Sequence, residues 1–259
     1  MFRSTPWVSS AVFAGIMLVS SAGFAQQTIE SAGLTVATTP VVSSDYSFRG
    51  FSQTRNRPAV QLTLDVEHTT GLYVGAFVSN VAFPNTNARQ EVDVLAGYRL
   101  ELAGVKLDLG AVYYAYPGYE APTGGYELNY YEATLRASYE LAPVKLLGLA
   151  AWSPNFTGES GNAFYVEGGL DIPLDFGITM SGRAGYQWVE RNLATAGSTD
   201  GAFGAKNWAN FSLTVSREII GGVIGSVTAV MTSYAERSEC FGGQKVCDDR
   251  VFVSLSRPF

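Results

Sequence analysis

A single histidine and two cysteines are all that 259 residues provide of the usual metal-binding and nucleophilic side chains, and this scarcity removes several chemistries at once. His68 stands alone, so no Cys/His set can complete a tetrahedral metal site, and no cofactor motif accompanies it. Charged residues make up only 15% of the chain, 17 basic against 23 acidic, and the net charge of −6 lacks the basic footprint that nucleic acid requires. Long apolar runs are missing too, apart from the N-terminus. The longest uncharged stretch, 219–235, falls short of a membrane helix, is broken by Gly221, Gly222 and Gly225, and is β-branched at Val223, Ile224, Val227, Thr228, Val230 and Thr232.

The N-terminal exception has the three parts of a secretory leader: Arg3, an apolar run from Val8 to Val19, and small residues up to Ala25. Residues 1–25 are therefore expected to be a cleaved signal peptide. Residues 26–259 are the mature domain, starting at Gln26, and the chain is exported. In an oxidising compartment Cys240 and Cys247, close together in a polar segment, are expected to form a local disulfide that clips a loop; two free thiols are the alternative.

What the chain does have is glycine (28), tyrosine (14) and phenylalanine (15), the composition of strands and turns. Period-two alternation recurs. Val60, Leu62, Leu64 and Val66 interleave with Gln61, Thr63, Asp65 and Glu67; Val105, Leu107 and Leu109 with Lys106 and Asp108; Tyr131, Ala133 and Leu135 with Glu132, Thr134 and Arg136. Val92, Val94, Ala96 and Tyr98 alternate with Asp93 and Arg99, Leu95 being out of phase. Strands are predicted at 34–49, 59–68, 72–81, 90–101, 104–115, 129–140, 144–153, 163–172, 177–189, 207–218, 223–235 and 250–259.

Alternation alone does not separate a soluble sheet from a membrane barrel. The connections do, because every second one is short and the intervening ones, near 50–58, 82–89, 116–128, 154–162, 190–206 and 236–249, are long and polar. Aromatic residues fall at both ends of the predicted strands. Phe48, Tyr113, Tyr131, Trp152, Trp188, Trp208 and Tyr234 lie beside long loops, and Tyr73, Tyr139, Phe176 and Phe259 beside short turns, as interface girdles would. The predicted fold is all-β: a transmembrane antiparallel up-and-down β-barrel of about 12 strands in the outer membrane of a Gram-negative cell. Its last strand places Val251, Val253, Leu255 and Phe259 on one face. A terminal Phe on such a strand resembles the signal read by outer-membrane assembly machinery, which with outer-membrane lipid is an expected partner.

Residues 43–59 carry Asp45-Tyr46, Phe48-Arg49-Gly50, Ser52-Gln53-Thr54 and Pro58-Ala59, and 71–81 end on Ser79-Asn80-Val81. These elements resemble the opening of the TorF family of porins over about the first quarter of the mature chain. The resemblance implies an outer-membrane barrel and suggests a pore, without a substrate.

Carried along the chain, the alternation sends Tyr46 and Phe48 to lipid and Asp45, Ser47 and Arg49 to the lumen. The expected pore lining is Asp45, Arg49, Asp65, Glu67, Asp93, Arg99, Lys106, Asp108, Glu132, Arg136, Glu167, Asp171 and Arg183, of mixed sign. For Asp45 and Arg49, a role in fixing register is weighed equally with one in solute passage. Strands 72–81, 144–153 and 223–235 are too uniformly apolar to phase. About twelve strands fall between the filled eight-stranded barrel and the open sixteen-stranded one, which suits passive passage of small polar solutes through a narrow lumen. Two readings compete: a structural or adhesive barrel without an open pore, and a barrel-embedded hydrolase. The hydrolase would have to use His68, which lies at a predicted short turn, or a carboxylate pair such as Asp65 and Glu67. Pro122 to Tyr126 is glycine-rich but lacks the lysine and helix of a phosphate loop.

Overall fold

The computed structural model describes residues 27–192, 203–234 and 236–259; the predicted leader lies outside them. Its strands in chain order are β1 (Gln27–Ile29), β2 (Leu34–Ser43), β3 (Ser47–Phe48), β4 (Phe51–Ser52), β5 (Ala59–His68), β6 (Leu72–Asn80), β7 (Gln90–Leu102), β8 (Val105–Ala115), β9 (Tyr130–Leu141), β10 (Val144–Ser153), β11 (Ala163–Pro173), β12 (Ile178–Val189), β13 (Trp208–Ile220), β14 (Val223–Thr232) and β15 (Arg250–Ser256). Twelve of them, β2 and β5 through β15, form one antiparallel sheet in which each strand pairs with its sequence neighbour. β2 pairs with both β5 and β15, so the sheet closes into a barrel.

The short turns occupy one end. Two are built from successive left-handed residues, Ala103-Gly104 and Gly221-Gly222, the geometry of a two-residue hairpin turn whose twist matches its strands. The long loops occupy the other end.

Closure sorts the side chains. Outward-facing Val60, Leu62, Val74, Val94, Leu109, Leu135, Val166, Leu213 and Val253 are exposed, while the residues between them point inward and are buried or half-buried. The outer surface is apolar over the full circumference and the interior is polar, the inverse of a soluble barrel. Tyr113, Tyr131, Trp152 and Trp188 lie exposed on this outer face towards the long loops, with Tyr139 and Phe176 towards the short turns.

Register fixes the strands that sequence left unphased: Tyr73, Gly75, Phe77 and Ser79 face inward from β6, Lys145, Leu147, Leu149 and Ala151 from β10, and Ile224, Ser226, Thr228 and Val230 from β14. Leu95, out of phase as an apolar residue among polar ones, points inward and is buried.

The largest departure from expectation concerns the first predicted strand. β2 stops at Ser43, and residues 44–58 turn into the barrel instead of continuing to 49. Tyr46 and Phe48 therefore do not face lipid: Tyr46 is buried, and Phe48 packs edge-on against inward-facing Tyr114 at 6.0 Å. Trp208, Tyr234 and Tyr73 also leave the predicted girdles, Trp208 and Tyr73 being buried inside and Tyr234 half-buried against Phe51. Aromatic residues next to a loop are equally compatible with a lipid interface and with a lumenal plug, and here the plug recruits them.

Candidate functional site: an in-folded hairpin and the cup above it

Residues 47–52 read Ser-Phe-Arg-Gly-Phe-Ser, and β3 and β4 pair as Ser47 with Ser52 and Phe48 with Phe51. The tip is Arg49-Gly50, both left-handed with φ of 46° and 90°. At Gly50 the tight turn and the wall coincide, because a Cβ there would lie 2.9 Å from Asn210 Cβ and from Thr232 Cγ2.

Arg49 anchors this hairpin across the lumen. Its Nη1 and Nη2 donate to Glu132 Oε1 and Oε2 at 2.8 and 2.7 Å, and Nη1 also donates to Gln187 Oε1 at 2.8 Å. The guanidinium lies over the rings of Phe48 (4.7 Å) and Tyr165 (4.2 Å). Tyr114 donates its hydroxyl to Glu132 at 3.1 Å, and the Trp208 indole N–H donates to the Arg49 carbonyl at 2.7 Å. A planar fork held bidentate and sandwiched between aromatic faces is a geometry that lysine does not reproduce.

The hairpin root is held by Asp45. Its Oδ2 accepts from Arg250 Nε at 2.6 Å and its Oδ1 from Thr54 at 2.9 Å, while Arg250 Nη1 donates to the Gly50 carbonyl at 2.7 Å.

Below the hairpin lies a cavity of about 60 Å³, and two further charge clusters occupy the inner wall. Arg99 Nη1 and Nη2 donate to Asp65 at 3.0 and 2.7 Å, Nη1 also to Glu67 at 2.7 Å, and Asp108 lies 3.5 Å from Nε. Tyr73 covers this guanidinium at 3.7 Å, an approach that leaves no room for a side chain at Gly97, where a Cβ would meet the ring at 2.7 Å. Arg183 pairs with Asp171 at 2.6 Å. Arg136 donates to Thr134 at 3.1 Å and lines the cavity with Glu167. Lys106 and Asp93 also face inward; neither carboxylate oxygen of Asp93 has a hydrogen-bond partner among the described residues.

All thirteen residues expected in the lumen thus lie on the inner side of the sheet, Asp45 and Arg49 by way of the hairpin. The sequence reading missed Glu91, Lys145 and Arg250, which share that side. Glu91 is in phase with Asp93, a signal that was present. Lys145 belongs to a strand that could not be phased.

Above the hairpin, at the long-loop end, an aromatic cup of about 310 Å³ opens. Its floor is Phe48, Phe51 and Gln53 of the hairpin, and its walls include Tyr116, Tyr119, Tyr126, Tyr130, Phe156 and Trp208. Phe51 stacks on Trp208 at 4.2 Å and Tyr114 on Tyr130 at 4.3 Å. The disulfide Cys240–Cys247 clips the last long loop, as expected, so that Phe241 and Val246 also press against the cup. Burial, reinforced by Glu91 and Asp93, holds the Tyr116 phenol well above its usual range; burial and Glu127 raise Tyr119. Both therefore present neutral hydroxyls to the cup. His68 is remote, at the 69–71 turn, its Nδ1 2.8 Å from Thr70 Oγ1.

A closed twelve-stranded barrel, apolar outside and charged within, with its first long loop folded into the lumen, defines the architecture of a porin-like protein. The chain belongs to the bacterial protein family of unknown function Gcw_chp, which it matches over residues 27–259. Among solved structures it resembles the KdgM porin, at 12% identity, TM-score 0.53, with 86% of this chain and 99% of that chain covered. It also resembles the NanC porin, at 10% identity, TM-score 0.51, with 85% and 97% covered. These likenesses are of fold. No curated protein matches it.

Proposed function

We propose that the chain is an outer-membrane porin-like channel for passive diffusion of small polar solutes through a narrow, mixed-charge lumen, constricted by the hairpin 44–58. The observation that carries this is the inversion of the barrel: an apolar outer band that only hydrocarbon would solvate, around an inner wall bearing Arg99, Asp108, Arg136, Glu167, Asp171 and Arg183 from mid-height to the short-turn end. The porin fold and the TorF-like residues 43–59 and 71–81, which include the hairpin, support the same reading. Export by a leader at 1–25, embedding in outer-membrane lipid, and delivery by assembly machinery reading the segment 250–259 with its Phe259 complete it.

The test is single-channel conductance of the refolded protein in planar bilayers, with solute uptake by liposome swelling. Small discrete conductance is expected; silence in both assays would reject the channel. In that case a structural barrel without an open pore is the better reading, and one observation favours it: Arg49, Glu132 and Gln187 meet in mid-lumen and are almost wholly buried.

Ion preference provides a sharper check. Arg136 makes a single side-chain hydrogen bond, leaves Nε unpartnered among the described residues, and lines the cavity below the hairpin. Arg136→Glu should move the reversal potential in a salt gradient towards cation preference. An unchanged potential would remove Arg136 from the permeation path.

A further inference from the structure

We propose that the aromatic cup at the long-loop end is a ligand-binding site for a compact aromatic-ring compound bearing no negative charge. This inference goes beyond the channel reading, because binding in the cup does not require that the lumen conduct.

Three observations carry it. The first is size: an apolar cavity of about 150 Å³ takes up benzene, and the cup's 310 Å³ suits one or two rings. The second is the surface on offer. Phe51, Tyr116, Tyr130, Phe156 and Trp208 line a single concavity, so a flat ring can meet faces and edges at once. Phe51, Phe156 and Trp208 are themselves fixed by stacking and tilted ring contacts at 4.2 to 5.3 Å, so the site is largely preformed.

The third is charge. Among the described residues the lining contains no lysine, arginine or histidine, and its single ionisable carboxylate is Glu91, which accepts the Tyr46 hydroxyl at 2.7 Å. Aromatic faces present negative potential, so they disfavour an anion and tolerate a cation. This separates the cup from the arginine-rich lumen beneath it. Apolar surface predominates over polar in the lining, which favours an aromatic ring over a sugar.

Trp208 supplies the readout. In the chain with Trp7, Trp152 and Trp188 replaced by Phe, it is the only indole, and it lines the cup. Its fluorescence is titrated in nanodiscs with four probes: benzyl alcohol, benzyltrimethylammonium, benzenesulfonate and maltose. Benzyl alcohol and benzyltrimethylammonium should give saturable changes, with benzenesulfonate at least about tenfold weaker, corresponding to 1.4 kcal/mol. Maltose should give none. Tyr126→Ala and Phe156→Ala should each weaken binding about tenfold. Tyr126→Ala spares the fold, because Tyr119 bonds the backbone carbonyl at 126 and not its ring. A linear, unsaturable response that is the same in the variants would mean partition into lipid and would overturn the site. Equal or tighter binding of benzenesulfonate or of maltose would overturn the ligand class.

Discussion

Asp93 carries a free-energy cost that carboxylates such as Asp65, Glu132 and Asp171 on the inner wall avoid. It is fully buried, neither of its oxygens has a hydrogen-bond partner among the described residues, and Glu91 lies two positions away on the same face. Removing its charge at constant shape should therefore leave stability unchanged or raise it. We predict that Asp93→Asn is neutral or stabilising by about 1–3 kcal/mol in urea unfolding of the reconstituted barrel. A loss of that size would show that Asp93 has a partner in solution. Glu132 is the opposite case, since it meets Arg49 in a bidentate, buried pair. Breaking such a pair costs about 3–5 kcal/mol. Because the barrel ladders do not depend on it, the loss should appear as release of the hairpin. Glu132→Gln is expected to speed tryptic cleavage after Arg49 or Arg55, measured by mass spectrometry. Unchanged protection would show that the pair does not hold the hairpin. These residues also show what sequence can convey. Parity assigned Asp93, Arg99 and Glu132 to the inner side correctly, because register propagates along a ladder. It gave no sign of who pairs with whom, since partners such as Arg49 and Glu132 lie 83 residues apart.

At the scale of elements, the strands were largely readable and the hairpin was not. The predicted bounds match every membrane-length strand to within a few residues, including the three too apolar to phase, except that the first is expected to continue to 49 and stops at Ser43 in the molecule. The reason is physical: Asp45, Ser47 and Arg49 against Tyr46 and Phe48 satisfy period two whether the aromatic face meets lipid or the inside of the barrel. A signal was nevertheless present in Arg49-Gly50 flanked by Phe48 and Phe51, a two-residue turn between matched side chains that marks a hairpin in its own right. The aromatic cup was invisible because its walls come from five separate loops and strand ends. Replacing residues 45–57 by a short glycine-rich turn should raise single-channel conductance several-fold while the barrel remains folded, judged by far-ultraviolet circular dichroism. If conductance stays the same, the constriction lies at the Arg99 or Arg183 layer. The disulfide belongs to this scale as well: the 236–249 peptide should gain two hydrogens in mass on reduction.

For the molecule as a whole, closure is the property hardest to read from sequence, and its seam is unlike the other ladders. β15 pairs with β2 only at Ser254–Ser43, Leu255–Val42 and Ser256–Val41. Below these, the edge of β2 is covered piecemeal: Arg257 N donates to the Pro40 carbonyl at 3.2 Å, Phe259 exchanges backbone hydrogen bonds with Thr38 at 2.8 and 3.1 Å, and β1 pairs with Leu34–Val36. Three short pieces thus do the work of one strand. Every other pairing joins neighbours in sequence and can form as a local hairpin, whereas this one must bring together residues some 210 positions apart. Closing that loop has the largest entropy cost of any ladder in the barrel, so it is expected to form last and to open first. Amide exchange should accordingly be faster along 38–43 and 253–259 than along β7 and β8, with protection that falls further when Phe259 is removed. In kinetic terms Phe259 acts as a latch, and the lifetime of the closed state is set where the first and last strands of the barrel meet.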